Sequence, residues 1–250
     1  QKNLFARIMV MSIMTFLLAA LDNGKRHRIL WLGLGISILL VILSTSKSAL
    51  LIALILLALV PMFRALRSNH NIILPLFILI ILSVGSIAIF LVSNAETIVR
   101  FLGRDLTLTG RTGIWAIVIS KIALYPWLGY GYKGFWHDME GDSADIWYET
   151  FFMAPHSHNG FLDITVELGL VGFFFFLSTY IKNCLRAITW LRLNSESIGL
   201  YPIIYLTFLF LYNITENSLT DPNYFIWVMY SMITTTVLTQ PITVISYNQS

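Results

Sequence analysis

Long apolar runs separated by short polar segments make up most of this chain. About seven of these runs approach the ~20 residues that a helix needs to cross the roughly 30 Å hydrocarbon core of a bilayer. They lie at residues 4–21, 28–44, 48–66, 72–92, 160–181, 199–215 and 223–240. The pattern predicts an all-α integral membrane protein with about seven transmembrane helices.

Composition supports this prediction, because 57% of the residues are hydrophobic and 12% are charged, whereas globular domains carry about 25% charged residues. The net charge of +3 comes from short basic clusters between apolar runs, so no nucleic-acid partner is implied. The single cysteine, Cys184, excludes a disulfide framework and a thiolate metal cluster. The chain begins with Gln1 and lacks a signal-peptide pattern. We interpret residues 1–250 as one polytopic membrane domain, a fragment of a longer chain.

The basic clusters predict the orientation of the chain. They fall in alternate loops, as expected when those loops face the cytoplasm, and comprise Lys25, Arg26, Arg28, Arg64, Arg67, Lys182, Arg186 and Arg192. Residues 93–159, between the fourth and fifth spans, then form one large loop on the outer, periplasmic face. Within this loop, residues 114–125 are predicted to form an interfacial helix that ends at Pro126.

One motif in this loop resembles a nucleotide-binding pattern. Residues 129–134 match G-x-G-x-x-G, but that fingerprint requires a preceding strand, a following helix and a downstream acidic residue. The surrounding sequence favours a tight turn instead.

Two histidines precede the fifth span. His156 and His158 are two residues apart, a spacing that directs their side chains to different sides of a strand or a helix. The spacing therefore argues against a shared metal ion. If Asn159 caps the following helix, Asp163 and Glu167 continue one polar face down the span, toward a polar cavity or basic partners.

Charged residues at the outer ends of several spans are candidates for one site. By the predicted topology they can converge on one outward-facing cavity, and they are Lys47, Arg111, His158, Glu167 and Glu216. The alternative for each is an isolated side chain that reaches the lipid headgroups. For His158, a cap without chemistry also stays open.

Three ordered motifs resemble the O-antigen ligase and polysaccharide polymerase family of bacterial inner membranes. The family pattern of His, then Asn, Ser or Gln, nine residues, Gly, two residues and Gly is met at His158, Asn159, Gly169 and Gly172. Arg111 with Trp115 is similar to the family's Gly-Arg-x-x-x-Trp, and residues 126–131 are similar to its Pro-x-x-Gly-x-Gly. Where the family carries an arginine between spans, this chain has Lys47, which keeps the charge but not the bidentate fork.

This resemblance implies glycosyl transfer on the periplasmic face of the inner membrane. A glycan leaves an undecaprenyl diphosphate carrier and joins a hydroxyl of a glycan, of lipid A core or of a protein, by an inverting reaction that uses no metal and no cofactor. Catalytic roles then fall to His158 as proton acceptor and Arg111 as a diphosphate ligand. Binding of diphosphate or glycan is assigned to Lys47, Trp115, Asn159, Glu167 and Glu216.

Two other classes of function stay open at this point. A lipid-linked oligosaccharide flippase or polysaccharide transporter also contains buried charges, although these are expected at mid-membrane within helices. A structural membrane subunit is the third class. The sequence does not separate a ligase from a polymerase.

Overall fold

A computed structural model of the chain describes residues 2–23, 28–68, 111–137, 139–151, 153–221 and 225–239. The regular structure in these ranges is helical, and they contain no strand, as the sequence predicts. The α-helices are α1 Lys2–Asn23, α2 Arg28–Leu43, α3 Lys47–Ser68, α4 Arg111–Leu124, α5 Ala144–Thr150, α6 Gly160–Leu193, α7 Tyr201–Thr215 and α8 Phe225–Thr239.

All of the predicted spans except the fourth coincide with described helices. Four stretches are long and apolar enough to cross a membrane, namely Leu4–Asp22, Lys47–Arg67, Gly160–Leu193 and Ser197–Thr215, and shorter apolar helices cover Arg28–Leu43 and Phe225–Val237. This is the architecture of a multi-pass membrane protein. The fourth predicted span, 72–92, and the start of the large loop lie outside the described residues.

Polar contacts identify the two ends of the helix bundle. Asp22, in the last turn of α1, accepts a hydrogen bond from the backbone of Ser197, just before α7. Arg64, near the end of α3, donates to the Ser197 hydroxyl at 2.6 Å. At the other end of α7, the Glu216 carbonyl accepts from the Gly160 N–H at 2.9 Å. The starts of α1, α3 and α6 therefore share one end of the bundle with the end of α7.

Helix α6 is sharply bent at Gly169, which has φ 66° and ψ −174°. In a straight helix the fifteen-residue step from Phe161 to Phe176 would cover about 22 Å, yet their ring centroids are 6.4 Å apart. The fifth predicted span is therefore not one continuous helix, and Asp163 and Glu167 lie on its first part, before the break. The conformation at Gly169, which only glycine adopts readily, turns the first part of α6 away from the axis of the second.

The turn after α4 hydrogen-bonds to the backbone of α6 on both sides of its break at Gly169. The Leu170 N–H donates to the Pro126 carbonyl at 2.8 Å, and the Tyr130 N–H donates to the Val166 carbonyl at 2.9 Å. These bonds satisfy backbone groups that a broken helix leaves without partners. The turn at residues 126–131 and the break at Gly169 are therefore bonded to each other. Positive φ angles at Gly129 and Gly131 confirm the interpretation of residues 129–134 as a tight turn.

Substitution of Gly169 by alanine is expected to destabilise the protein by at least about 2 kcal/mol. A Cβ atom there would lie 2.1 Å from the Trp127 carbonyl oxygen, in a backbone conformation that L-residues avoid. The measurement is thermal unfolding of the detergent-solubilised protein. Gly35→Ala is the control, because a Cβ at Gly35 meets nothing within 4 Å. Equal melting temperatures for the two variants would contradict the prediction.

Candidate active site

Glu216 is the buried centre of a polar cluster at the end of α7. Its Oε2 atom lies 3.2 Å from His158 Nδ1 and 3.4 Å from Arg7 Nη2. Its Oε1 atom lies 3.4 Å from Arg111 Nη2. Two guanidinium groups and one imidazole, from three separate parts of the chain, therefore share one carboxylate.

Local backbone geometry directs His158 into this cluster. His158 has φ 56°, in the left-handed region, and it stands directly before the helix cap. Asn159 is that cap, as predicted, because its Oδ1 atom accepts the N–H groups of Phe161 and Leu162 at 3.0 and 3.1 Å. The side chain of Asn159 thus stabilises the start of α6, and His158 stands directly before that start.

The two histidines are neighbours, which corrects the prediction that their side chains diverge. Their ring centroids are 4.4 Å apart, and the His158 N–H donates to His156 Nδ1 at 3.1 Å. The left-handed residue turns the chain back, a conformation that the two-residue spacing does not reveal. One ligand atom each from His156, His158 and Glu216 lies within 4.8 Å of the others. Two guanidinium groups beside that carboxylate make the cluster better suited to an anion than to a metal cation.

Helix α4 contributes two residues of the predicted Gly-Arg-x-x-x-Trp motif. Arg111, its first residue, donates from Nη1 to the Thr215 carbonyl at 2.6 Å and also contacts Glu216. Trp115 lies one turn later on the same face, and its indole N–H donates to the Ser157 carbonyl at 2.8 Å. The motif therefore connects α4 to the end of α7 and to the histidine segment.

Arg7 is the member of the cluster that the sequence reading missed. It lies in α1, it is 8% exposed, and its guanidinium carbon is 4.2 Å from the centroid of the Tyr212 ring. The signal that identifies it is its position, since an ionisable residue inside an apolar span is costly and marks a functional site by default.

Lys47 and Glu167 do not join the described cluster. Lys47 begins α3 at the Glu216 end of the bundle, but its side chain is exposed. Glu167 is buried, and its Oε2 atom accepts the Lys133 backbone N–H at 3.0 Å, within the turn that follows α4. Glu167 therefore binds the backbone of that turn, and in the described part of the chain neither side chain forms an ion pair with a member of the Glu216 cluster.

Electrostatics keep the central carboxyl ionised. Burial acts to raise the pKa of Glu216, but the hydrogen bond from His158 and the charges of Arg7 and Arg111 outweigh it and lower the pKa below its ordinary value. The two guanidinium charges of Arg7 and Arg111 face this one carboxylate. The cluster therefore carries an excess of positive charge suited to an anionic ligand.

Stability is expected to depend on pH through His156. Burial, together with the neighbouring His158 and arginines, lowers the pKa of His156 from 6.5 to about 4. Because the unfolded chain binds this proton more readily, the stabilisation is complete above pH 6.5 and is lost as the pH falls toward 4. The full effect is about 3 kcal/mol. Thermal unfolding at pH 7 and pH 4.5 measures it, and His156→Gln should flatten this pH dependence. An unchanged slope would contradict the assignment.

Comparison with known proteins identifies the family. Fold and site together define a multi-pass membrane protein with a buried arginine, carboxylate and histidine cluster at one end of its helices. A sequence model described as O-Antigen ligase matches residues 32–177, more than half of the 250 residues. The chain belongs to the O-antigen ligase family.

Individual relatives match shorter segments. The exopolysaccharide production protein ExoQ of Rhizobium meliloti (strain 1021) is 32% identical over 93 residues, 36% of this chain and 21% of that protein. A Rickettsia prowazekii (strain Madrid E) protein named "Putative polysaccharide ligase RP358" is 36% identical over 86 residues, 33% of this chain and 21% of that protein. The matched segments thus span about a fifth of these relatives.

Proposed function

We propose that this protein is a membrane glycosyltransferase that moves a glycan from an undecaprenyl diphosphate carrier to an acceptor hydroxyl. The observation that carries the proposal is the contact of His158 Nδ1 with Glu216 at 3.2 Å, beside two guanidinium groups on the same carboxylate. Family membership and the relatives' names, which concern exopolysaccharide production and polysaccharide ligation, support a glycan as the transferred group.

His158 acts as the general base in this mechanism. Because its Nδ1 atom lies 3.2 Å from the Glu216 carboxylate, the ring carries its proton on Nδ1 and Nε2 is the basic atom. Nε2 accepts the proton of the acceptor hydroxyl as the hydroxyl oxygen attacks the anomeric carbon. Glu216 stabilises the imidazolium that forms, as the acid of a catalytic triad does.

The arginines stabilise the leaving group. As the new glycosidic bond forms, the bond from the anomeric carbon to the diphosphate oxygen breaks, and the electron pair leaves with the lipid diphosphate. Arg111 and Arg7 supply charge-assisted hydrogen bonds to that anion, and the exposed Lys47 meets it from the outside. A single displacement inverts the anomeric centre. None of these steps routes electrons or protons through a metal or cofactor.

The site is proposed to face the periplasm from the bacterial inner membrane. The basic residue Arg64 lies at the opposite end of the bundle from Glu216, which agrees with a cytoplasmic location for that end under the positive-inside rule. The donor then enters from the outer leaflet of the bilayer. A growing glycan, lipid A core or a protein is the acceptor, and these correspond to a polymerase or a ligase.

A transfer assay tests the proposal against its rivals. The full-length protein in nanodiscs receives undecaprenyl diphosphate-linked glycan and an acceptor, without nucleotide or ion gradient and with EDTA. The expected result is a new glycosidic product and an equal amount of released undecaprenyl diphosphate. In vesicles, movement of labelled carrier across the bilayer with no new product would instead identify a flippase. If neither glycan transfer nor carrier movement is detected, the protein is a structural subunit.

A further inference from the structure

Both backbone polar groups of Ser157, the residue before His158, are held by side chains of other segments. Ser157 is fully buried. Its carbonyl accepts the Trp115 indole N–H at 2.8 Å, and its N–H donates to Asp163 Oδ1 at 3.0 Å. One donor from α4 and one acceptor from α6 therefore hold the residue that precedes the proposed base.

In the described residues, the carboxylate of Asp163 hydrogen-bonds to Ser157 and Trp136 and not to His158, Glu216 or the arginines. It is fully buried in the first turn of α6, and its Oδ1 atom also accepts the Trp136 indole N–H at 3.1 Å. Its Oδ2 atom has no hydrogen-bond partner among the described residues. Because burying a carboxyl is costly unless it is hydrogen-bonded, the bonds from Ser157 and Trp136 are what stabilise Asp163 in this position.

Trp115 is similarly engaged. Tryptophan has a single N–H donor and no acceptor, and in Trp115 that donor is bound to the Ser157 carbonyl. The indole therefore has no second polar group with which to hydrogen-bond a ligand, and the assignment of Trp115 to diphosphate or glycan binding stays a prediction.

We propose that Trp115 and Asp163 are positioning residues that hold the imidazole of His158 against Glu216. The inference rests on the proposed function, in which His158 is the base. His158 adopts the left-handed conformation, which persists in non-glycine residues only where the surroundings over-determine it. The Ser157 hydroxyl bridges the N–H and the carbonyl of Asn159 at 3.1 and 2.8 Å, and the bonds from Trp115 and to Asp163 fix the two backbone polar atoms of Ser157 from outside the loop. With those two outside bonds released, His158 relaxes and its Nδ1 atom leaves the carboxylate.

Two matched tryptophan substitutions test the inference. Trp115→Phe removes the N–H but keeps an aromatic ring. Trp147→Phe is the control, because the Trp147 indole N–H donates to the Ala154 carbonyl at 3.0 Å in the same segment. We expect Trp115→Phe to lower kcat by on the order of tenfold to a hundredfold, with the KM for donor unchanged, and Trp147→Phe to leave both near the parent values. Equal effects of the two substitutions would overturn the inference.

Thermal unfolding of the purified variants separates positioning from general loss of structure. Trp115→Phe and Trp147→Phe each remove one indole hydrogen bond to the same loop segment, so we expect similar melting temperatures and a loss of kcat in Trp115→Phe alone. A loss of rate that disappears once the rate is normalised to folded protein contradicts the positioning role.

Two substitutions of Asp163 provide a second test, in which the conservative variant should keep the rate that the apolar variant loses. Asp163→Asn keeps an Oδ1 acceptor for Ser157 and Trp136 and should retain most of the rate, whereas Asp163→Leu should lose it. If Asp163→Leu does not fold, Asp163→Asn and Trp115→Phe still decide the question. If Asp163→Asn loses as much rate as His158→Ala, the inference for Asp163 is overturned. An active His158→Ala would refute the proposed function itself. An inactive His158→Ala beside a normal Trp115→Phe would refute only the positioning role.

Discussion

Replacing His158 by alanine should reduce glycan transfer by about 10² to 10⁴-fold while the protein still inserts and accumulates. General-base catalysis contributes a factor of this size. In the described residues, no other histidine forms an ion pair with Glu216. His158 also lies outside the helices, so its replacement interrupts no helix. The measurement is the initial rate of product formation from purified lipid-linked glycan and acceptor, normalised to folded protein.

The matched control for this substitution is His137→Ala. His137 is an exposed histidine of the same loop, and its side chain takes no part in the cluster. We expect its variant to transfer glycan at the parent rate. A near-normal rate for His158→Ala, or an equal loss in both variants, would exclude His158 as the base.

Arg111→Ala should cost about 10² to 10³-fold in kcat/KM, the range for removal of one donor that stabilises developing charge. Its two terminal guanidinium nitrogens, Nη1 and Nη2, contact the Thr215 carbonyl and Glu216 respectively. Arg111→Lys should recover only part of the loss, because an ammonium group lacks the planar fork. The rate is measured against donor concentration with acceptor saturating.

Substitutions of two lysines serve as comparisons for Arg111→Ala. Lys133→Ala, which removes an exposed cation of the same loop, is expected to have the parent activity. Lys47→Ala is expected to lose less than Arg111→Ala, because the Lys47 side chain is exposed and has no described contact with Glu216. A severe loss in Lys47→Ala beside a mild one in Arg111→Ala would reverse the assignment of the principal diphosphate ligand.

Several features of this protein follow from local sequence patterns. The spans at 28–44 and 199–215 are continuous apolar runs, and the structure forms helices over both. Asn159 is the cap of α6 because an amide directly before a helix can bind its first N–H groups wherever that helix lies. The end of α4 before Pro126 and the turn that follows depend on the same short-range effects.

Other features depend on contacts between distant positions. Arg111 and Glu216 are 105 positions apart, and the order of apolar runs does not say which helix ends meet. Arg7 was overlooked because one arginine in an apolar run has no neighbour in sequence that points to its partner. The prediction for His156 and His158 failed because it assumed regular backbone, whereas a left-handed residue brings the rings together.

Sequence alone determined that the chain is helical and membrane-spanning, where most spans lie, and which residue types are available for acid–base and anion chemistry. Tertiary structure decided that Arg7 stands beside Glu216, that Glu167 binds the backbone of a turn, and that α6 bends at Gly169. The physical reason is that hydrophobicity and capping act over a few residues, whereas ion pairing and backbone docking act between segments that only folding brings together.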